Sequence, residues 1–348
     1  MKFIKKVIFT FNILLIIGLL ISYLSPYVDP NSYWLFSMFG LFYPVLLIGN
    51  IVLVLFWLFV EFKYLFPSLI AILIGWSHLT GFVNFSSPSS TTADLSVLSY
   101  NVNFFRSIKS GKKAQRNATA ERIKIFFKEQ KDVDVFCIQE SDNFTRKTFK
   151  SIYPDYYGHS ITDRGTYIYS KHPIIASGEV DFGTRTNSCV WADIQIKDEK
   201  VRIYSLHLQS NKLSREADKV LEDTDLQDKK TWNSIKEILN KYKNSSFRRA
   251  EQAALVSDHA QKSGLKTIIC GDVNEPPTSY TYSRLCGDYQ DSFVKAGSGI
   301  GTTYGGKIPM LRIDYIFADE NFSVEEFEIL KPKFSDHYPV IGKYTLEQ

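Results

Sequence analysis

Eight polar residues stand at or beside the ends of short apolar runs, and their types define an oxygen-rich reaction site. Asn101 follows Leu-Ser-Tyr, Glu140 follows Phe-Cys-Ile-Gln, and His207 follows Tyr-Ser-Leu. Asp272 follows Ile-Ile-Cys-Gly with Asn274 two residues on, Asp314 follows Arg-Ile, and Asp336 and His337 follow Ser335. The set holds amides, carboxylates and imidazoles but no Cys or Ser nucleophile. Oxygen donors suit a hard cation such as Mg²⁺, with Mn²⁺ as the alternative. Glu140, a single carboxylate after a buried run, is the first choice of metal ligand, beside Asn101 if those strands pair. Asp272 and Asn274 fall on the same side of an extended segment. One can take a proton from water while the other holds that water or a phosphate oxygen. His337 requires a carboxylate to fix its tautomer, and Asp314 is the natural candidate. His207 can donate to a phosphate oxygen or a leaving group. The chemistry this permits is in-line attack of water on phosphorus, with a metal and donors stabilising the developing charge.

Such residues reach one crevice when they sit at the ends of neighbouring strands. Apolar runs predict strands over Leu95–Tyr100, Val133–Ile138, Thr166–Tyr169, Cys189–Ile196, Val201–Leu206, Lys266–Cys270, Ile313–Phe317 and Pro339–Tyr344. Helical patterns cover Ala114–Lys128, Thr231–Tyr242 and Phe247–Lys262. Hairpins alternating with helical crossings argue a mixed-sheet α/β sandwich with helices outside. Cys137 and Cys270 fall inside buried runs, and the absence of Cys-x-x-Cys argues against zinc. Asn103, Arg164, His159 and His172 read as structural, surface or loop residues. Asn211 to Ser246 is a long charged connection leaving the strand end at His207. It is expected to overhang the site, setting substrate choice or resting on a bilayer, or else to be a solvated insertion.

Taken in order, LSYNVN, IQES, GTYIYSKHPI, LHLQS, CGDVNEPP, RIDYIF and SDHYPV resemble the endonuclease/exonuclease/phosphatase superfamily over about residues 94–346. The resemblance implies a four-layered α-β-β-α sandwich and Mg²⁺-dependent phosphoester hydrolysis. It implies Asn101 and Glu140 as the metal pair and Asp336 as an accessory ligand. It implies Asp272 as the residue activating water, Asn274 as its partner on the phosphate, Asp314 as support for His337, and His337 as the group contacting phosphate or acting as the base in place of Asp272. His207 stands where abasic-site endonucleases resemble one another in carrying Tyr, and Asn103 where they carry Asp. LHLQS is most similar to the sphingomyelinase side.

Composition excludes other classes. Forty-one Lys+Arg against 37 Asp+Glu give a net charge of +4 over 348 residues, with 15% aromatics and four cysteines. This is neither a disordered chain, nor a basic nucleic-acid coat, nor a disulfide scaffold. The apolar residues are concentrated at the N-terminus, where uncharged runs cover Val7–Leu24, Tyr33–Val60 and Tyr64–Val83. These lengths predict three transmembrane helices over residues 1–83, since about 20 residues span a bilayer. Ser25, Pro26 and Tyr27 do not form a small-residue cleavage site, so a cleaved signal peptide is disfavoured. Asn12, Asn50 and His78 are expected to contact neighbouring helices rather than mark a transport path. Lys2, Lys5, Lys6 and Lys63 favour a cytoplasmic N-terminus and an extracytoplasmic domain over residues 94–348, joined by a linker at 84–93. The whole is expected to be a membrane-anchored phosphoesterase with a lipid or inositol-phosphate substrate. A nuclease is not favoured because the domain lacks basic excess, and a non-catalytic binding module is a further alternative.

Overall fold

The computed structural model describes residues 2–86, 93–106, 113–161, 165–184, 186–210, 229–306 and 309–347. Residues 211–228 of the long connection, Arg164, and residues 87–92 of the expected linker lie outside these.

Two six-stranded sheets face each other. The first runs β13 (Phe322–Ile329), β14 (Val340–Leu346), β2 (Leu95–Asn101), β3 (Val135–Gln139), β5 (Tyr167–Ser170) and β4 (Tyr157–Ser160). The second runs β10 (Gln290–Asp291), β12 (Asp314–Ala318), β9 (Lys266–Asp272), β8 (Glu199–His207), β7 (Ser188–Ile196) and β6 (Ile174–Val180). Val97, Val135 and Ile168 from one sheet pack on Ala192, Ile203 and Ile268 from the other. The outer face of the first sheet packs Phe136 and Ile138 against Ile123 and Phe127 of the helix Lys113–Glu129 and Phe149 of the helix Asn143–Ile152. The outer face of the second packs Tyr204 and Ile269 against Ala253 and Val256 of the helix Lys229–Gln261 and Leu285 of the helix Tyr280–Cys286. The layers are therefore α-β-β-α, as expected.

Each sheet contains one parallel pair, β2 with β3 and β8 with β9. Parallel pairing brings two carboxyl ends to the same edge, and both pairs end on site residues. His159 lies in β4 rather than in a loop. The helices expected over 231–242 and 247–262 are one continuous helix, Lys229–Gln261. The intervening Asn244, Ser245 and Ser246 read as a break, but Ser245 and Ser246 are buried against the domain.

The N-terminal region departs from three whole spans. Among the described residues, two helical stretches are long and apolar enough to cross a membrane, Phe3–Tyr27 and Tyr43–Val60. The second begins ten residues later than the hydropathy run because Pro30–Tyr33 and Leu35–Leu41 are separate short helices. The third run is split into helices Phe66–Ile74 and Trp76–Thr80. Gly75 makes the break: a Cβ there would lie 2.0 Å from the Tyr23 ring, whose hydroxyl donates to the Ala71 carbonyl at 3.0 Å. Asn12, Asn50 and Ser68 are buried between these helices and bonded to one another. Asn12 Nδ2 donates to Ser68 Oγ at 2.6 Å, Ser68 Oγ donates to Asn50 Oδ1 at 2.9 Å, and Trp57 Nε1 donates to Asn12 Oδ1 at 2.9 Å. Small polar groups satisfied by one another hold apolar helices together where water is excluded. Val83–Phe85, at the start of the expected linker, is a strand (β1) paired with Ser298–Ile300 (β11).

Candidate active site

The crevice is built where the strand ends meet. Asn101 is the last residue of β2, opposite Gln139, and Glu140 follows β3 directly. In the second sheet His207, Asp272 and Asp314 stand side by side at one level of three adjacent strands. Gly271 permits this: its φ is 140°, and a Cβ would lie 2.0 Å from the Leu206 carbonyl oxygen. His337 precedes β14 and is tied to the same edge, since Ser335 Oγ donates to the Asn101 carbonyl at 2.8 Å.

Asp272 is the hub. Its Oδ2 accepts from Asn101 Nδ2 at 2.8 Å, so the two sheets are joined at the site. The same oxygen lies 3.7 Å from His207 Nε2 and 3.7 Å from His337 Nε2. Its Oδ1 accepts from the Asn274 backbone N–H at 2.9 Å. Asn274 Nδ2 in turn donates to the Leu208 carbonyl at 3.2 Å. His337 Nδ1 is 3.0 Å from Asp314 Oδ2, which makes Nδ1 the donor and turns Nε2 toward Asp272. Burial opposes charge on His337, but Asp314 and Asp272 outweigh it and raise the imidazole to about 10. Burial raises Asp314 to about 6 against the pull of His337. The proton shared by this pair sits on the imidazole at neutral pH.

Glu140 is half-buried, with Oε1 3.6 Å from His207 Nε2. Glu140 and Asn274 both have left-handed backbones, with φ of 49° and 59°. Such strain in non-glycine residues is concentrated at functional sites. Asp336 is exposed and accepts from Asn103 Nδ2 at 2.6 Å, while the Asn103 N–H donates to Asn101 Oδ1 at 3.0 Å. The geometry thus unites Asn101, Glu140, His207, Asp272, Asn274, Asp314 and His337, and holds Asp336 at the rim through Asn103.

Three contributors were not foreseen. Asn103, read as structural, holds Asp336 and Asn101. Gln139 is buried beneath the crevice, with Nε2 3.1 Å from Ser205 Oγ of the other sheet and 3.3 Å from Ser99 Oγ. Thr303 Oγ1 accepts the N–H groups of Ile313 and Asp314 at 2.9 and 3.0 Å and so fixes Asp314. A polar residue ending an apolar run was the available signal, and only Gln139 carried it.

The arrangement can take a divalent cation and a phosphate. Among the described residues, Asp272, Asp314 and His337 have ligand-type atoms within 4.8 Å of one another, although His337 Nδ1 already donates its proton to Asp314. Four carboxyl groups line or rim the crevice, a setting in which a cation would favour entry of a phosphoester anion. Among the described residues His207 Nε2 has no hydrogen-bond partner; it is buried, facing Glu140 and Asp272. An orphaned buried ring nitrogen costs stability unless a bound group satisfies it.

Such a crevice at the strand ends of a two-sheet sandwich defines a class of hydrolases acting on phosphoesters. The chain belongs to the endonuclease/exonuclease/phosphatase family, whose sequence pattern matches residues 98–337. Members of this family use a divalent metal. Residues 5–82 match a domain of unknown function (DUF8431). No curated protein matches the chain. Among solved structures, an endonuclease/exonuclease/phosphatase family protein from Bacteroides thetaiotaomicron is similar at 19% identity and a TM-score of 0.54, covering 73% of this chain and 98% of that one. A mannosyl-6-phosphatase from the same organism gives 19% and 0.52, covering 72% and 100%. TDP2 from D. rerio, complexed with single-strand DNA product, gives 16% and 0.51, covering 72% and 98%. These likenesses concern the fold.

Proposed function

We propose that the chain is a membrane-anchored, Mg²⁺-dependent phosphoesterase acting at the outer surface of a membrane on a lipid or inositol-phosphate headgroup. The observation that carries the catalytic part is Asp272 Oδ2, on which Asn101 and both imidazoles converge. In this reading Asp272 takes the proton of the attacking water, and Asn274 and His207 hold phosphate oxygens. His337, kept charged by Asp314, donates to the phosphate or the leaving oxygen. Glu140 and Asn101 would hold the cation, with Asp336 as accessory ligand; their oxygens fit a hard ion. When bound, that ion supplies charge stabilisation for the pentavalent phosphorus.

The arrangement of the N-terminal helices supports the membrane placement. At one end of the bundle Lys5 pairs with Glu61 at 3.1 Å, and Lys63 lies 3.8 Å from the same carboxylate. At the other end Thr278, four residues from Asn274, donates to the Gly40 carbonyl at 2.8 Å. The basic end and the catalytic domain are thus opposite, as a cytoplasmic N-terminus and an extracytoplasmic domain require. Residues 1–83 form the anchor and 94–348 the catalytic domain. The lipid preference rests on this proximity and on LHLQS, which is similar to the sphingomyelinase side.

The test is hydrolysis by the full chain with Mg²⁺ across phospholipids, sphingomyelin, inositol phosphates, sugar phosphates and single- and double-stranded DNA, beside Asp272→Ala. Lipid or inositol-phosphate turnover lost in the variant supports the proposal. DNA or sugar-phosphate turnover alone overturns the substrate assignment.

A further inference from the structure

Beyond Asn274 the chain turns inward, and Glu275 becomes fully buried. Its Oε1 accepts from Arg249 Nε at 2.9 Å and from Arg249 Nη2. Arg249 is also fully buried, and its Nη1 donates to the Gln209 carbonyl at 2.8 Å. Gln209 lies two residues past His207, and its N–H donates to Gln252 Oε1 at 2.8 Å. The Glu275 carbonyl accepts from the Tyr315 hydroxyl at 2.8 Å, and Tyr315 is the neighbour of Asp314. One buried ion pair therefore touches the segments carrying Asn274, His207 and Asp314. It touches no reacting atom itself.

The pair is also reached from the N-terminal helices. The Tyr242 hydroxyl lies 3.3 Å from Glu275 Oε2 and donates to the Ser37 carbonyl at 2.9 Å. Thr278 donates to Gly40, and a Cβ on Gly40 would lie 2.4 Å from the Thr278 carbonyl oxygen. Asn84 Nδ2 lies 2.8 and 2.7 Å from the Phe293 and Val294 carbonyls beside the β1–β11 ladder. A tether would show none of these contacts.

We propose that Arg249 and Glu275 are a positioning pair for the phosphoester chemistry, and that docked anchor residues Ser37 and Gly40 complete it through Tyr242 and Thr278. The pair sets the Asn274 loop against the strand end of His207, so turnover depends on the anchor being seated. This rests on the phosphoesterase reading above.

The experiment uses the full chain in nanodiscs, with bis(p-nitrophenyl) phosphate and Mg²⁺ as the probe. Glu275→Gln, Tyr242→Phe and Gly40→Ala are compared with Arg284→Ala, which breaks only an exposed pair with Asp258. Amide exchange is followed in peptides covering 205–210 and 272–280. Misplacing catalytic groups by a fraction of an ångström should lower kcat about tenfold in Glu275→Gln and Gly40→Ala with KM held within about twofold. Exchange should quicken in both peptides, Tyr242→Phe should move both readouts less, and Arg284→Ala should move neither. Wild-type kcat and wild-type exchange in Glu275→Gln and Gly40→Ala would overturn the proposal. If the wild-type chain turns over no phosphoester, the functional reading fails separately, and exchange alone decides the clamp.

Discussion

Asp272 is held by Asn101 Nδ2 and the Asn274 N–H, which donate to it, while two ring nitrogens face its Oδ2 without bonding to it. That difference separates holding from reacting. Asp272→Asn keeps the shape and removes the proposed base, so kcat should fall by about 10²–10⁴ with little change in thermal midpoint. A fall in kcat matched by loss of the folded signal would assign Asp272 to structure instead. Asn101, Glu140, His207 and Asp272 were legible because each ends or follows a run that must be a buried strand, where a polar residue needs a reason. Asp314 and His337 stand at the start of β12 and just before β14, and were legible through the ordered motifs. Glu275 and Arg249 were not legible in the same way. Their burial arises from contacts across 26 residues of sequence, which spacing does not reveal. The one local hint was a carboxylate set between Asn274 and two prolines, Pro276 and Pro277.

Among elements, β2, β3, β9 and β12 were readable because both faces are covered, and β8 because its Val201–Leu206 stretch is mostly apolar. β6 and β13 were missed because they are half-exposed, interrupted by charges such as Glu179 and Glu326, and irregular in register. The start of the β2–β3 pair depends on Asp134, whose Oδ2 accepts from the Ser96 N–H at 2.9 Å and Ser96 Oγ at 2.8 Å. Burial opposes its ionisation, but the His172 ring nitrogen 3.6 Å away and the bonds from Ser96 win and hold the carboxyl below 3.8. A lowered pKa contributes stability that is present above pH 3.8 and lost as pH falls through the folded value. Asp134→Ala should cost about 1–3 kcal/mol at pH 7. The gap from wild type, measured by denaturant unfolding, should shrink toward pH 3; a constant gap would refute the assignment. Among the N-terminal helices, Asn12→Ala strands Trp57 Nε1 and leaves Ser68 Oγ only its bond to Asn50, and should cost about 1 kcal/mol in detergent unfolding. The hydropathy runs foresaw the apolar helices but not the break at Gly75, which depends on the distant Tyr23 ring.

At the scale of the whole molecule, the N-terminal helices and the sandwich form one packed body. Phe82 is buried, Gly301 donates to its carbonyl at 2.8 Å, and Gly81 sits 2.9 Å from Pro277 by its would-be Cβ. A composition shift marks where the apolar region ends, but it carries no information on whether that region docks. A fragment of residues 94–348 loses β1 and the Ser37 and Gly40 carbonyls. Its thermal midpoint should be lower than that of the full chain, and its kcat on bis(p-nitrophenyl) phosphate lower as well. Equal values would make the N-terminal unit a passive tether.

The division of labour between metal holding and proton transfer is tested most directly by titrating Mg²⁺ into the EDTA-treated full chain while following phosphoester hydrolysis. The wild type, Glu140→Gln and Asp272→Asn would be compared. The account predicts activity that returns with Mg²⁺, a raised half-saturating Mg²⁺ concentration in Glu140→Gln, and in Asp272→Asn a low plateau that no Mg²⁺ concentration restores. Hydrolysis indifferent to Mg²⁺, or the same titration curve for both variants, would contradict it.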